Sequence, residues 1–119
     1  MPKNDAFRRQ LLLTFRDEFE GYVAVLSQGF LALERAEAAL PEAQLAELFR
    51  AAHSMKGAAS VVGLDQVQTM AHCMEDVLAA LREGKLDPSQ RSIDGLFLAL
   101  DELEAAMAAQ LRGESLPAR

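Results

Sequence analysis

The chain has 119 residues, half of them hydrophobic, with 18 acidic against 12 basic side chains and a formal net charge of −6. That length supports one domain around one core, and that charge repels nucleic acid on average, so no nucleic-acid partner is expected. One cysteine, Cys73, excludes an internal disulfide and suits a reducing compartment. No apolar run approaches the ~20 residues of a membrane span. The N-terminus, M-P-K-N-D-A-F, lacks a signal-peptide stretch, so a cytoplasmic location is expected. Ala and Leu are frequent, Trp is absent and β-branched residues are few, a composition that favours helix.

Four helical stretches follow in chain order. The first runs from about Asn4 to Ala39, with Phe7, Leu11, Phe15, Phe19, Tyr22, Leu26, Leu33 and Leu40 at helical spacing. It is long enough for a break or bend. Gly21 and Gly29 weaken it by roughly 1 kcal/mol each relative to Ala and leave room for another helix to come close. The second runs from about Pro41 to Val62, with proline in the first turn, where a missing N–H costs nothing. Its seam is Leu45, Leu48, Ala52, Met55, Ala59 and Val62, and Gly63 ends it.

The third stretch runs from about Asp65 to Glu83, with a seam of Val67, Met70, Ala71, Met74, Val77, Leu78 and Leu81, and Gly84 as its stop. The fourth opens at Asp87-Pro88-Ser89-Gln90, read as an N-cap, a first-turn proline and a capping-box glutamine. Its seam is Ile93, Leu96, Phe97, Leu100, Leu103, Met107 and Leu111, and Gly113 is its expected end. Four amphipathic stretches with short connections predict an all-α, antiparallel up-down four-helix bundle over residues 1–113. Residues 114–119 are expected to form a loose tail or the start of a linker. Internal repeats and low-complexity runs are absent from the sequence.

The chemistry concentrates in Phe49 to Gly57, F-R-A-A-H-S-M-K-G. Positions three and four apart share a helix face, so His53, Lys56 and Gly57 form one patch of imidazole, ammonium and bare backbone. At 100° per residue His53 lies roughly 130° from the seam of its helix and Lys56 roughly 70°. The imidazole is therefore on the solvent side and the lysine at the margin.

If the second and third helices fold back about Leu64, residues equidistant from it share a height. His53 is then level with Glu75, and Lys56 with His72, some ~16 Å and ~12 Å from the turn. Height alone does not put both flanks on one side. If they do meet, Glu75 accepts a hydrogen bond from Nδ1–H of His53 and leaves the Nε2 lone pair as a nucleophile. Lys56 would face the oxygens of an incoming phosphoryl group, and Gly57 would give a partner access to the ring.

Two other chemistries are weaker. The seven glycines are scattered and form no phosphate-cradling loop, so catalysis by this chain alone is not expected. His53, His72, Cys73, Glu75 and Asp76 are potential metal ligands, but bundle sites project inward, often as Glu-x-x-His. Arg50 and Thr69 stand three residues before the histidines, and Cys73 reads as buried filler beside a seam. No bound metal is expected. A helical interaction module without phosphotransfer remains the plain alternative.

The H-S-M-K-G core at His53 and the H-x-x-E at His72 and Glu75 resemble the histidine phosphotransfer (HPt) family, most closely the N-terminal phosphotransfer domains of CheA-type histidine kinases. The likeness covers nearly the whole chain. It implies a helical bundle whose exposed histidine takes the γ-phosphoryl group of ATP from a separate kinase domain and passes it to an aspartate of a response-regulator receiver. His53 looks like the phosphorylated histidine and Glu75 like its hydrogen-bonded glutamate. Lys56 and His72 look like the neighbours that complete the site. No cofactor would be bound by this domain itself; ATP and magnesium would belong to the kinase partner. Such sequences usually follow the lysine with two glycines and later have Thr-Phe-Gly-Phe, where this chain has Gly57-Ala58 and then Ser60-Val61-Val62-Gly63-Leu64. Those departures bear on the pathway served, not on the chemistry.

Overall fold

A computed structural model describes residues 2–36 and 40–117. Its helices are α1 (Pro2–Arg35), α2 (Glu42–Val62), α3 (Asp65–Arg82) and α4 (Gln90–Gly113), with no strand among the described residues. α1 and α3 each pack against α2 and α4, and neither diagonal pair brings its Cα atoms within 8 Å of each other. The result is the expected antiparallel four-helix bundle, a rod of 53 × 19 × 18 Å. α1 is unbroken, and its 34 residues span ~51 Å at ~1.5 Å each, the full length of the rod. The expected helical positions 37–39 lie outside the described residues. No described helix is long and apolar enough to cross a membrane.

The seams of α2, α3 and α4 bury as their spacing predicts, around Leu48, Met55, Met74, Leu78 and Leu103. α1 differs. Its core residues are Leu12, Phe15, Phe19, Leu26, Phe30 and Leu33, and Phe7 is 67% exposed. The reason lies one residue along. Arg8 Nη1 donates to the Val62 carbonyl at 2.9 Å and Nη2 to Glu114 at 2.7 Å, so it is already level with the ends of α2 and α4. Phe7 is beyond the last packed layer. Phe30, missing from the expected seam, is fully buried and meets Phe97 edge-on, with ring centroids 5.6 Å apart.

The turns fix the register. Gly63 adopts φ +74°, Leu64 N–H donates to Ala59 O at 2.9 Å and Gly63 N–H to Ser60 O at 3.2 Å. That is a Schellman cap, with Leu64 buried behind it. Gly84, at φ +73°, repeats the pattern after α3. At the end of α4 the left-handed residue is Ser115 (φ 59°), two positions past the glycine expected to stop the helix. Leu116 N–H reaches Leu111 O at 2.8 Å.

The segment expected as a loose tail is therefore packed as far as described. Leu116 is buried, Glu114 pairs with Arg8, and Arg16 Nη1 donates to Pro117 O at 3.4 Å. Residues 118–119 lie outside the described residues. The start of α4 also differs from expectation. Ser89, not Asp87, is the N-cap and accepts from Ser92 N–H at 3.2 Å. Pro88 precedes the cap, where its fixed φ suits an extended approach.

Of the two glycines in α1, Gly29 alone admits a neighbour. A Cβ there would sit 2.0 Å from Leu48 Cδ2 and 2.8 Å from its Cγ, whereas at Gly21 it would meet nothing within 4 Å. Leu48 is a buried core side chain, so a Cβ at this position must displace it from its packing. Gly29→Ala is expected to destabilise the bundle by ~1–3 kcal/mol through overpacking, despite its better helix propensity. Gly21→Ala should stabilise it by up to ~1 kcal/mol. Urea unfolding of the two variants checks this; shifts of the same sign would show that the close approach at Gly29 is not what selects glycine.

Candidate functional site

His53 lies midway along α2 with its side chain 62% exposed. Glu75 lies midway along α3 and is the one buried charged residue among the described residues, 7% exposed. The Gly63–Leu64 turn sets the two helices in the expected register, and the flanks do face each other. His53 Nδ1 and Glu75 Oε2 are 2.5 Å apart. Lys56 Nζ, one turn along α2, donates to the other carboxylate oxygen, Oε1, at 2.8 Å. One carboxylate thus holds two α2 side chains with its two oxygens.

The electrostatics follow from that arrangement. Burial alone would raise the Glu75 pKa. The hydrogen bonds from Lys56 and His53, and their charges, outweigh burial and hold the carboxyl below its ordinary 4.5. An ionised carboxylate only accepts, so the proton in the His53–Glu75 bond belongs to Nδ1. The neutral ring then carries its lone pair on Nε2, at the opposite edge of the imidazole.

The remaining expected residues take distinct places. Lys56, anticipated as a partner for phosphoryl oxygens, is turned to Glu75 and its side chain is 23% exposed. His72 is exposed and turns toward Asp76, with Nε2 3.7 Å from Oδ1, a distance set by their i, i+4 spacing. A cluster of His72, Glu75 and Asp76 presents ligand atoms within 4.8 Å of one another. Its only buried member already has both oxygens engaged, and His53 and Cys73 lie outside it. Cys73, expected as buried filler, is exposed. It lines the shallow cleft between α3 and α4 with Val77 and Ala99, where a seam-adjacent position finds no neighbouring helix to cover it. At Gly57 a Cβ would meet nothing within 4 Å, so the surface beside the imidazole is open.

The contacts of Phe49 with His53 and Arg82 went unread in the sequence. The Phe49 ring lies nearly parallel to the His53 ring, 12° between planes with centroids 6.0 Å apart. The Arg82 guanidinium stands 5.3 Å from the Phe49 centroid. Arg82 is held in turn by Glu42, with Nε at 3.0 Å and Nη2 at 2.6 Å from Oε1. The hairpin arithmetic carried the signal: eighteen residues after Leu64 is Arg82, and eighteen before it is Ala46, between Glu42 and Phe49.

The depressed Glu75 pKa makes stability depend on pH with a definite sign. The unfolded carboxyl binds its proton first as pH falls, so the contribution of Glu75 is fully present above 4.5 and is lost as pH drops through the lower folded value. In urea unfolding followed across the acid range, the wild type should lose more stability below pH 4.5 than Glu75→Gln. Parallel curves would contradict an ionised, clamped Glu75.

Comparison with known proteins agrees with this geometry. The Hpt domain family matches residues 10–110. The chain is 32% identical over 104 residues to the chemotaxis protein CheA of Bacillus subtilis, covering 87% of this chain and 15% of that protein. It is 28% identical over 110 residues to CheA of Borreliella burgdorferi, covering 92% and 12%. It is also 33% identical over 99 residues to a gliding motility regulatory protein of Myxococcus xanthus, covering 83% and 12%. The chain thus spans only 12–15% of the length of these curated relatives. Among solved structures, the phosphorylated P1 domain of CheA3 in complex with CheY6 from R. sphaeroides superposes with a TM-score of 0.77 at 26% identity, over 91% of this chain and 82% of that one. With its bundle, its His53–Glu75 contact and a family match running from residue 10 to residue 110, the chain belongs to the histidine phosphotransfer (Hpt) domain family.

Proposed function

We propose that this domain is the phosphoryl carrier of a two-component relay, with His53 as the residue that is phosphorylated. The observation that carries this is an exposed imidazole whose Nδ1–H is fixed on an ionised, buried carboxylate. In the first step the Nε2 lone pair attacks the γ-phosphorus of ATP held by a kinase catalytic domain. An N–P bond forms, the P–O bond to the β-phosphate breaks, and ADP leaves. Positive charge grows on the ring as the bond forms, and Glu75, through Nδ1–H, is placed to stabilise it. In the second step a receiver aspartate oxygen attacks the same phosphorus. The N–P bond breaks, an acyl phosphate forms, and the ring returns to its neutral tautomer.

The other residues have supporting parts. Lys56 holds Glu75 in place and leaves further ammonium protons for phosphoryl oxygens. Gly57 leaves the approach to the ring open. His72 is a neighbour that touches the site through its proximity to Glu75. ATP and its magnesium belong to the kinase partner, and the relay operates in the cytoplasm, where nucleotide and receivers are found. The receiver partner is supported by the R. sphaeroides relative, whose phosphorylated P1 domain is in complex with CheY6. The kinase partner is supported by the CheA relatives, which extend far beyond the matched region.

Labelling with the cognate kinase catalytic domain and radiolabelled ATP tests this reading. His53→Gln should abolish incorporation, and Glu75→Ala should slow it by ~10²-fold or more, the scale of losing an electrostatic partner to developing charge, while the bundle stays folded. A His53→Gln protein that labels fully would overturn the assignment.

A further inference from the structure

The imidazole turns about two bonds, Cα–Cβ and Cβ–Cγ, and the one hydrogen bond to Glu75 does not fix both. Correlated changes of the two torsions keep Nδ1 near the carboxylate while Nε2 sweeps an arc. In-line transfer needs the lone pair aimed at phosphorus, and misaiming by about 1 Å costs on the order of a hundredfold in rate. A second contact is needed on an exposed ring, and the structure supplies one.

Phe49 lies one turn before His53 on the same face of α2, its ring within 12° of parallel at an offset-stacking distance. Phe49 is itself half-buried and packs against the hydrophobic core. The Arg82 guanidinium at 5.3 Å is within cation–π range of its ring. Arg82 comes from the last turn of α3, and Glu42 in the first turn of α2 holds its guanidinium by two hydrogen bonds. A continuous column, Glu42–Arg82–Phe49–His53, therefore ties the ends of two helices to the acceptor ring. Glu75 restrains the ring at its edge and Phe49 restrains its face.

We infer that Phe49 and Arg82 are positioning residues for phosphoryl transfer: Phe49 sets the plane of the His53 imidazole, and Arg82, pinned by Glu42, holds Phe49 in place to do so. Neither touches the reacting atoms. Arg82 therefore has a role beyond a surface ion pair, and Phe49 one beyond packing against the core. The inference rests on the phosphotransfer reading for its functional consequence, but its geometry can be tested without it.

The test uses the whole chain in two measurements. The first is the proton chemical shifts of the His53 ring, which report ring current from a stacked neighbour and need no kinase. Phe49→Leu should move the His53 carbon-bound ring protons downfield, Phe49→Tyr should leave them near wild type, and Arg82→Met should shift them part-way toward Phe49→Leu. The second is labelling by the cognate kinase. Phe49→Leu should lower kcat about fivefold, Arg82→Met about twofold, both with KM unchanged, and Phe49→Tyr should restore the rate. Thermal unfolding identifies any variant that loses rate by misfolding; Arg82, at the surface, is the safer substitution. His53 resonances that ignore both Phe49→Leu and Arg82→Met would overturn the column. Resonances that move while labelling stays at wild-type rate would overturn its role in transfer. A wild-type chain that takes no label at all would instead sink the function proposed above, leaving the resonances to judge the column.

Discussion

The structure turns on one carboxylate that sits where a charge is expensive. Glu75 lies on the α3 flank against α2, and an ionised group there is tolerated only because it is matched by donors. Lys56 and His53 supply one donor to each oxygen. The same pairing that makes the burial tolerable also dictates the tautomer of His53, because a carboxylate held ionised cannot donate. Packing energetics and nucleophile chemistry are thus a single contact seen from two sides.

That contact depends on register more than on any residue near it. The Schellman cap at Gly63 and Leu64 sets the heights of α2 and α3, and the Gly84 cap sets where α3 stops and hence where Arg82 stands. α1 does different work. It runs the length of the rod and takes in Leu48 at Gly29, so α2 is seated on its inner side while its outer side, with His53 and Gly57, stays open. A carrier must be rigid behind its acceptor and unobstructed in front of it. The bundle meets both needs for His53, the proposed acceptor, by placing it mid-helix, where backbone position is best determined, rather than on a loop.

The sides of the site are not equivalent. Toward the α2–α3 turn lies the ionic pair of Lys56 and Glu75; toward the other end lies the cation–π pair of Arg82 and Phe49. His53 is held between a polar and an aromatic restraint, which together leave its Nε2 edge as the free one. On the proposed relay, a partner would meet this face at the exposed His53 ring, between the Lys56–Glu75 pair and the Phe49 ring.

Much of this was legible in the chain itself. Spacing in threes and fours placed the seams of α2, α3 and α4, the two glycines at left-handed positions marked the ends of α2 and α3, and counting outward from Leu64 paired His53 with Glu75 by height. Those features are local or one-dimensional, so a linear code can carry them. What failed needed the third dimension. Phe7 has the right spacing but lies past the ends of the neighbouring helices, and Cys73 borders a seam but faces a cleft. The tail packs because Ser115 accepts a conformation usually left to glycine and Arg8 waits across the rod. Whether two helix flanks at one height actually meet, and whether Lys56 turns outward or toward Glu75, depends on the rotation of each helix about its axis. That rotation is set by the sum of core contacts from all four helices, Gly29 against Leu48 among them, and no single stretch of sequence contains it.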